Sequence, residues 1–403
     1  MLGNQIRTYG ANEMILREGD AGDWAYLIES GRVLVFVTKD GEEVPLKILG
    51  KGEIFGEMSM IDNSVRSATC RTLTEVRLVT VTQDQLLDRI KSADPIVRLL
   101  MRALLDRLRE QNNGIRGKTL TSAPPPNPEK FDTERREALE RIGLENELSQ
   151  ALDNDEFIPH YQPIYDLRTQ EIRGCEALLR WVGKDGKIVP TGNFIDALEQ
   201  SPLILNVGQR MIEMCVDDLV RMQSEIAGNH AFFVSVNVSG RQFADPNFLS
   251  HLESVRYRAG VPADRIKLEV TERIMTEGPL AISSLQACRA LGYKIAIDDF
   301  GTGFSSLQYL ASMPLHDLKL DRSFISQMMA SEKAHSIVKT LIHLANQLNL
   351  NLIAEGIETR EQLFLLRNLG VQMGQGFLFS KALPYDGFIS LMTGAAAAEK
   401  KAA

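Results

Sequence analysis

The sequence lacks the two glycine-rich loops that most often bind nucleotide phosphates. Neither GxGxxG nor GxxxxGK[ST] occurs in its 403 residues, which weakens dinucleotide-binding and P-loop interpretations. The four cysteines show no CxxC or metal-ligand spacing, so we expect reduced thiols. No stretch approaches the ~20 apolar residues of a membrane span. The charged N-terminus also lacks the apolar core of a signal peptide. We therefore expect a cytoplasmic protein without a membrane partner.

Excess positive charge is also missing. The formal net charge is −8, which gives no global attraction to nucleic acid, and we expect no DNA binding. A nucleotide ligand is still possible, because a local site or a bound metal can hold a phosphate. The composition is that of a soluble globular protein, and the length fits two or three domains.

The clearest domain boundary is a proline-rich stretch between residues 114 and 128. Consecutive prolines lack amide donors and favour extended structure, so neither a helix nor a sheet continues through them. A charged amphipathic segment follows. The sequence thus predicts five parts: an N-terminal domain (1–113), a linker (114–133), a connecting helix (134–152), a C-terminal domain (153–395) and an Ala/Lys tail (396–403).

The two domains differ in their secondary-structure patterns. Residues 1–90 contain short β-rich runs separated by glycines, which predicts a small β-roll, and residues 95–111 have helical apolar spacing. Beyond residue 155, apolar β-like runs alternate with helical stretches. About eight such units favour a (β/α)8 TIM-like barrel over an open doubly wound sheet.

Polar side chains lie near the ends of the predicted barrel strands. They are Glu176, Asn237, Glu269, Asp298, Asp299, Lys319 and Glu355. One such residue would favour a structural salt bridge, but seven are costly in apolar strands unless they are paired or bind metal. The carboxyl ends of barrel strands converge on one mouth, where active sites lie.

The ligand types indicate which metal this mouth would bind. Carboxylate and amide oxygens, without His or Cys, suit Mg²⁺ or Mn²⁺ and argue against structural zinc. The carboxylates are too many for one ion, so we expect two divalent ions with a shared carboxylate. Asp298 and Asp299 are adjacent and can reach one site only where the strand ends, and Gly301-Thr302-Gly303 supplies that break.

The C-terminal domain resembles the EAL domain family over residues of about 140–390. The resemblance is carried, in the family's order and spacing, by YQPI at 161–164, EALLRW at 176–181, NVS at 237–239, EVTE at 269–272, DDFGTGFSSL at 298–307, LKLD at 318–321, AEGIE at 354–358 and QGF at 375–377. Members of this family are (β/α)8-type barrels, and active members hydrolyse cyclic di-GMP to linear pGpG. No catalytic position departs from the family pattern.

The resemblance implies a role for each matching residue. Glu176, Asn237, Glu269 and Asp298 would bind a first metal, and Asp298 would bridge to a second metal held by Asp299 and Glu355. Lys319 would hydrogen-bond the attacking water; Glu355 could instead act as a base. Glu272 would anchor the loop 298–307, which lies at the family's dimer contact. The implied substrate-binding residues are Gln162, Leu179, Arg180, Asp321 and Gln375.

The N-terminal domain resembles cyclic-nucleotide-binding domains of the catabolite activator and protein kinase A type. The resemblance is carried by GD at 19–20, Gly22, Gly31, FGEMSM at 55–60 and RSAT at 66–69. It implies that Arg66 pairs with the cyclic phosphate and that Glu57 accepts from the ribose hydroxyl, with Gly56, Met58 and Ser67 beside them. We expect cAMP, and cGMP stays open because Ser67 fits both. A Glu57–Arg66 ion pair without a ligand is the alternative.

These observations favour a homodimeric cyclic di-GMP phosphodiesterase that uses two Mg²⁺ or Mn²⁺ ions and is regulated by a cyclic mononucleotide. Two alternatives stay open. The barrel could bind cyclic di-GMP without cleaving it, or the N-terminal domain could serve only dimerisation.

Overall fold

The computed structural model describes residues 6–22, 24–62, 65–82, 94–115, 128–225, 231–276, 278–301 and 313–394. The chain divides into two compact units, Met1–Leu144 and Glu145–Ala403. Within the described ranges, no helix is both long enough and apolar enough to cross a membrane.

The N-terminal unit contains two four-stranded antiparallel sheets, as the predicted β-roll requires. The strand order is β1-β8-β3-β6 in one sheet and β2-β7-β4-β5 in the other. Apolar side chains from both sheets form the core, where the rings of Tyr26 and Phe55 stack with centroids 5.4 Å apart. The strands are β1 (Ile6–Tyr9), β2 (Met14–Leu16), β3 (Trp24–Ser30), β4 (Val33–Lys39), β5 (Glu42–Leu49), β6 (Ile54–Phe55), β7 (Thr69–Thr72) and β8 (Val76–Thr82).

Three helices accompany these sheets: α1 (Glu57–Asp62), α2 (Pro95–Ile115) and α3 (Pro128–Asp153). Helix α3 contains the predicted connecting helix and begins earlier, at Pro128. Proline is tolerated there because the first turn of a helix has no partner for its amide proton. Of the predicted linker 114–133, residues 116–127 lie outside the described ranges. Arg98 on α2 donates to Glu137 on α3 at 2.6 Å.

The C-terminal unit is built on a closed eight-stranded barrel, which confirms the predicted fold. Its strands follow the order β10-β12-β13-β14-β15-β16-β17-β9, and β9 pairs back with β10 to close it; β11 extends β10 outside the ring. The strands are β9 (Phe157–Asp166), β10 (Ile172–Val182), β11 (Ile188–Val189), β12 (Phe233–Asn237), β13 (Ile266–Thr271), β14 (Lys294–Phe300), β15 (Asp317–Leu320), β16 (Asn351–Ala354) and β17 (Met373–Gly374).

The barrel departs from a regular (β/α)8 pattern at its first strand. Strand β9 runs antiparallel to both neighbours, β10 and β17. The connection between β9 and β10 is only residues 167–171, which is too short for the helical crossover that parallel neighbours need. The remaining barrel strands, β10 and β12–β17, pair in parallel.

Helices cover the outside of the barrel and bury one face each. On the longest of them, buried apolar side chains recur every three or four residues, from Ile204 through Val207, Met211, Cys215 and Leu219 to Met222. The helices are α4 (Ile195–Gln200), α5 (Leu203–Glu225), α6 (Gly240–Phe243), α7 (Phe248–Ala259), α8 (Pro279–Ala290), α9 (Arg322–Gln327), α10 (Glu332–Gln347), α11 (Arg360–Asn368) and α12 (Tyr385–Met392), with 3₁₀ turns at Thr191–Asn193, Ala263–Arg265 and Glu272–Thr276.

A buried ion pair closes the barrel at the amino-terminal ends of its strands. Nζ of Lys267, near the start of β13, lies 2.6 Å from Oδ2 of Asp317, the first residue of β15. Asn351 at the start of β16 donates to the other oxygen of Asp317 at 2.9 Å. Because these groups satisfy one another, they serve the stability of this end. The acidic residues at the opposite end have a different arrangement.

Candidate active site at the barrel mouth

A fully buried lysine lies at the centre of the mouth. Lys319 on β15 is 0% exposed, and its ammonium contacts four carboxylates, three on other strands and one, Glu355, directly after β16. The distances from Nζ are 3.2 Å to Glu176, 2.6 Å to Glu269, 3.1 Å to Asp298 and 2.7 Å to Glu355. An ammonium has three protons, so it cannot satisfy all four carboxylates at once.

The register of the parallel strands steps these side chains around the mouth, so that Glu269 lies opposite Asn237 and Asp298 lies two residues further along. Asn237 pairs with Glu269 across β12 and β13, and Thr271 pairs with Asp298 across β13 and β14. Alternate residues of a strand face the same side, so one inward-facing residue per strand is enough to build the ring. The predicted strand-end residues therefore converge on one site.

Asp298 and Asp299 reach this site by a different route from the predicted one. Strand β14 does not end before them but continues to Phe300. Between Ile297 and Phe300 the strand gains one residue over its partner β15, which is a bulge, and Asp299 has a left-handed backbone with φ of 52°. A bulge redirects a side chain that regular alternation would place on the opposite face. Both carboxylates can thus face the mouth.

Glu272 holds this bulged segment from the preceding strand connection. Its Oε1 accepts a hydrogen bond from the backbone amide of Gly301 at 2.9 Å. Gly301 has a φ of 91°, in the region that favours glycine. Residues 302–312, the rest of the expected loop and its dimer contact, lie outside the described ranges.

Two groups of acidic side chains could each hold a metal ion. In the first acidic cluster (Glu176, Glu269 and Asp298) and in the second (Asp298, Asp299 and Glu355), one oxygen from each residue lies within 4.8 Å of the others. Asp298 belongs to both clusters. Two amides complete the ring, since Asn237 donates to Glu176 at 2.8 Å and Gln375 donates to Glu176 at 2.5 Å.

The donor set fits divalent cations. It consists of hard oxygens, which suit Mg²⁺ or Mn²⁺. Oε1 of Glu269 is buried and, among the described residues, has no hydrogen-bond partner, as expected for an oxygen that awaits a cation. If all five carboxylates are ionised, the Lys319 ammonium leaves a formal charge of −4, which two divalent ions would neutralise.

The carboxylates of this site shift one another's pKa values. Burial, together with the neighbouring Glu176 and Asp298, raises the pKa of Glu269 to about 8, although Lys319 opposes this. Burial also raises the pKa of Glu355 well above its usual value. For Glu176, burial is outweighed by Lys319, Gln375 and Asn237, so its pKa is lowered. The acids therefore require more positive charge than one lysine supplies.

The N-terminal unit contains a second polar site, at the turn between β6 and α1. A cavity of about 310 Å³ is lined by Gly56, Glu57, Met58, Arg66 and Ser67, the five residues predicted to bind a cyclic mononucleotide. Leu108 from α2 also lines it. The sequence analysis did not identify Lys47, which lies at the same cavity.

Arg66 is buried in this cavity and is held by the protein's own backbone. Its guanidinium donates to the carbonyl of Gly56 at 2.5 Å, to the carbonyl of Trp24 at 2.7 Å and to the hydroxyl of Ser59 at 2.8 Å. A Cβ at Gly22 would overlap with the guanidinium, so only glycine leaves it room. Burial raises the pKa of the half-buried Glu57, and Arg66 opposes that rise.

Comparisons with known proteins identify a domain family in each unit. The EAL domain model matches residues 145–382, more than half of the chain, and the cyclic nucleotide-binding domain model matches residues 6–93. The chain belongs to the EAL family. Its N-terminal unit is a cyclic nucleotide-binding domain, so both resemblances are confirmed.

Individual relatives are similar over one or both parts of the chain. PdeR of Escherichia coli K12, a cyclic di-GMP phosphodiesterase, is 36% identical over 252 residues, which is 62% of this chain and 37% of PdeR. The uncharacterized protein Mb1392c of Mycobacterium bovis is 37% identical and aligns over 91% of its own length. The chain spans about a third of the length of several other curated relatives.

One solved structure resembles the chain over both units. The EAL enzyme Bd1971 in a cAMP-bound form is 44% identical, has a TM-score of 0.79, and aligns over 96% of this chain and 100% of its own. The same enzyme has been solved with cGMP, and with cAMP and cyclic di-GMP together.

Beside the two acidic clusters of the EAL barrel is a pocket of about 230 Å³. It contains Gln162, Glu176, Asp298, Glu355 and Gln375. It also contains residues that the sequence analysis did not select: Leu178, Arg322, Glu358 and Phe377. Phe377 follows Gln375 and Gly376 in the family motif, and that position is the signal by which the sequence could have identified it. The residue is 58% exposed.

Three of the expected substrate residues are not among those that line this pocket. Leu179 faces a different cavity, between the barrel wall and helices α4 and α5, because it alternates with the inward-facing Glu176 and Leu178. Arg180 is half-buried and donates to the carbonyl of Leu179 at 2.9 Å. Asp321 caps helix α9 by accepting from the amide of Ser323 at 2.9 Å. Leu178 is thus better placed than Leu179 to contact a substrate.

Replacement of the central lysine should change how the EAL barrel responds to metal. In Lys319→Met, four carboxylates lose their shared cation, and two of them, Glu176 and Glu269, are buried; we expect the metal-free protein to lose about 3–5 kcal/mol of stability. Mn²⁺ should then raise the thermal midpoint more in the variant than in the wild type, because no internal cation competes. Differential scanning calorimetry with and without Mn²⁺ measures this. The exposed Lys339→Met is the control, and equal metal-induced shifts in both variants would contradict the account.

Proposed function

We propose that the chain is a cyclic di-GMP phosphodiesterase that hydrolyses its substrate to linear pGpG with two bound Mg²⁺ or Mn²⁺ ions. The observation that carries this proposal is the pair of acidic clusters sharing Asp298 around the buried Lys319. Relatives such as PdeR are named cyclic di-GMP phosphodiesterases, which supports the same substrate here.

Each acidic cluster would hold one ion. Glu176, Asn237, Glu269 and Asp298 would hold the first, and Asp298, Asp299 and Glu355 the second. When bound, such ions lower the pKa of coordinated water and neutralise charge on a phosphodiester. For Asn237 to serve as a ligand, its side-chain oxygen must face the ion, and the bond from Nδ2 to Glu176 leaves that oxygen available.

Two residues are candidates to interact with the attacking water: Lys319 as a hydrogen-bond donor and Glu355 as a base. The two groups already form an ion pair of 2.7 Å in the barrel. Occupied metal sites would draw the carboxylates away from the ammonium, which frees one of its three protons for a water. Glu355 is the alternative, as a base, because burial makes its carboxylate more basic than usual.

The pocket beside the clusters suits a nucleotide phosphodiester. Gln162 offers an amide, and Arg322 contributes a permanently charged guanidinium that now pairs with Glu358 at 2.8 Å. The exposed ring of Phe377 offers a face on which a base can stack, an interaction worth about 1–3 kcal/mol. The other three expected residues would support this pocket indirectly: Arg180 from its rim, Leu179 from behind its wall and Asp321 from the start of α9.

The N-terminal unit would regulate the barrel by binding cAMP, with cGMP as the less favoured ligand. The related Bd1971 has been solved with each of these nucleotides. In this chain the ligand's cyclic phosphate would exchange with the carbonyls that Arg66 now contacts, and Glu57 would accept from the ribose. To alter activity, the nucleotide must bind one functional state better than another. Dimerisation alone is the alternative role of this unit.

The phosphodiesterase proposal predicts that Glu176→Ala abolishes hydrolysis of cyclic di-GMP. This carboxylate belongs to the first cluster and receives both amide hydrogen bonds, so its loss should lower turnover by more than ~100-fold. Chromatography of products from cyclic di-GMP with Mg²⁺ measures it. The exposed Glu171→Ala should behave as the wild type. If Glu176→Ala still produces pGpG at the wild-type rate, or if the wild type binds cyclic di-GMP without cleaving it, the proposal fails.

The regulatory proposal predicts that Arg66→Leu lowers cAMP affinity by about 10- to 100-fold. The expected loss is that of a charge-assisted pair with the phosphate. Calorimetric titration of the full chain measures it, with Arg71→Leu as the control, because Arg71 pairs with the exposed Glu43 outside the cavity. Hydrolysis assayed with and without saturating cAMP then tests regulation. Equal rates despite measured cAMP binding would leave the N-terminal unit without a regulatory role.

A further inference from the structure

The side-chain amide of Gln375 lies between the two acidic clusters. Its Nε2 donates to Glu176 at 2.5 Å and to Glu355 at 3.2 Å. Glu176 belongs only to the first cluster and Glu355 only to the second. A primary amide has two protons on its nitrogen, so both are used by the two carboxylates. Neither proton is left to donate to a substrate.

The backbone of Gln375 is fixed against the strand that carries Glu355. Its amide donates to the carbonyl of Ala354 at 2.9 Å, and its carbonyl accepts from the amide of Ile357 at 3.0 Å. The flanking Gly374 and Gly376 make this approach possible, because a Cβ on either would overlap with Ile357. These two backbone hydrogen bonds, to the residues before and after Glu355–Gly356, fix the position from which the Gln375 side chain extends.

The side-chain oxygen of Gln375, Oε1, is a second and independent observation. Gln375 is 4% exposed, and its Oε1 is buried without a hydrogen-bond partner among the described residues. A buried amide oxygen without a donor costs about 1–3 kcal/mol. Such an orphan, beside two acidic clusters, indicates that the site is completed by something with an O–H group or a positive charge, such as water or a cation.

Gln162 provides a contrast within the same pocket. It is also a largely buried glutamine, but its Nε2 donates to the backbone carbonyl of Ser380 at 3.2 Å. That bond touches no member of either acidic cluster. The two glutamines thus share a pocket and differ in what their amides hold.

We propose that Gln375 is a positioning residue that couples the two metal sites, and that its amide is not primarily a substrate contact. By holding one oxygen of Glu176 and one of Glu355, it orients both carboxylates toward their ions together. Among the described residues, loss of the amide would leave Lys319, which contacts the same two oxygens, as the remaining link between the two carboxylates. This inference rests on the proposed two-ion function, which its test examines separately.

The test is Mn²⁺ titration of the metal-free full chain, with free Mn²⁺ followed by electron paramagnetic resonance. The wild type should bind two ions per chain. Gln375→Met, which keeps the volume but removes the amide, should weaken Mn²⁺ binding by ~10- to 100-fold, as for other residues that orient metal ligands. Gln375→Asn, too short to reach both carboxylates, should show the same defect. Circular dichroism establishes that each variant is folded.

Kinetics then separate positioning from substrate contact. At saturating Mn²⁺, the Gln375 variants should lower kcat and leave KM for cyclic di-GMP within about twofold, because a distorted metal pair affects the reaction more than binding. Gln162→Ala should do the reverse, raising KM with a wild-type Mn²⁺ isotherm. Gln347→Leu, at an exposed glutamine on α10 outside the pocket, is the matched control.

Two results would overturn the inference in distinguishable ways. If the wild type binds two ions and both Gln375 variants bind them with wild-type affinity while KM rises, Gln375 is a substrate contact and the coupling role is wrong. If the wild type itself binds fewer than two ions, the two-ion part of the proposed function fails, and the coupling fails with it.

Discussion

The structure of the barrel mouth depends on one constraint, the placement of four carboxylates in contact with a single buried ammonium and of a fifth, Asp299, beside them. Parallel strands deliver their carboxyl ends to the same edge, so each strand can contribute one acid at low cost in chain geometry. The electrostatic cost is high, because buried like charges repel and the interior screens them poorly. Lys319 compensates only part of that charge. The neutral donors Asn237 and Gln375 and the bulge at Asp299 are all consistent with a site that is completed by divalent ions.

In each unit, one buried cationic side chain is held in place by oxygen atoms of the protein. Lys319 is surrounded by carboxylates, and Arg66 by backbone carbonyls and a hydroxyl, so each side chain is ordered before a ligand arrives. Preorganisation of this kind lowers the entropic cost of binding. It also means that ligands exchange existing contacts for new ones. The proposed binding of cAMP and the proposed metal binding would both proceed by such exchange.

Much of this site could be predicted from the sequence, because strand-end positions follow from local patterns. The seven polar residues were found together, and the fold class was correct. Other features depend on details that patterns do not encode. The rotation of the strand about its own axis decides whether Leu178 or Leu179 faces the mouth. The antiparallel direction of β9 follows from a connection of only five residues to β10. The partner of Gln375 is Glu176, 199 residues away, and no local signal links them.

The central claim, that this chain holds two divalent ions joined by Asp298, is tested most directly by a crystal structure grown with Mn²⁺ and measured for anomalous scattering. The account predicts two anomalous peaks about 3.5–4 Å apart. One should be contacted by Glu176, Asn237 and Glu269, the other by Asp299 and Glu355, with Asp298 contacting both. A single peak, or two peaks that share no carboxylate, would contradict it.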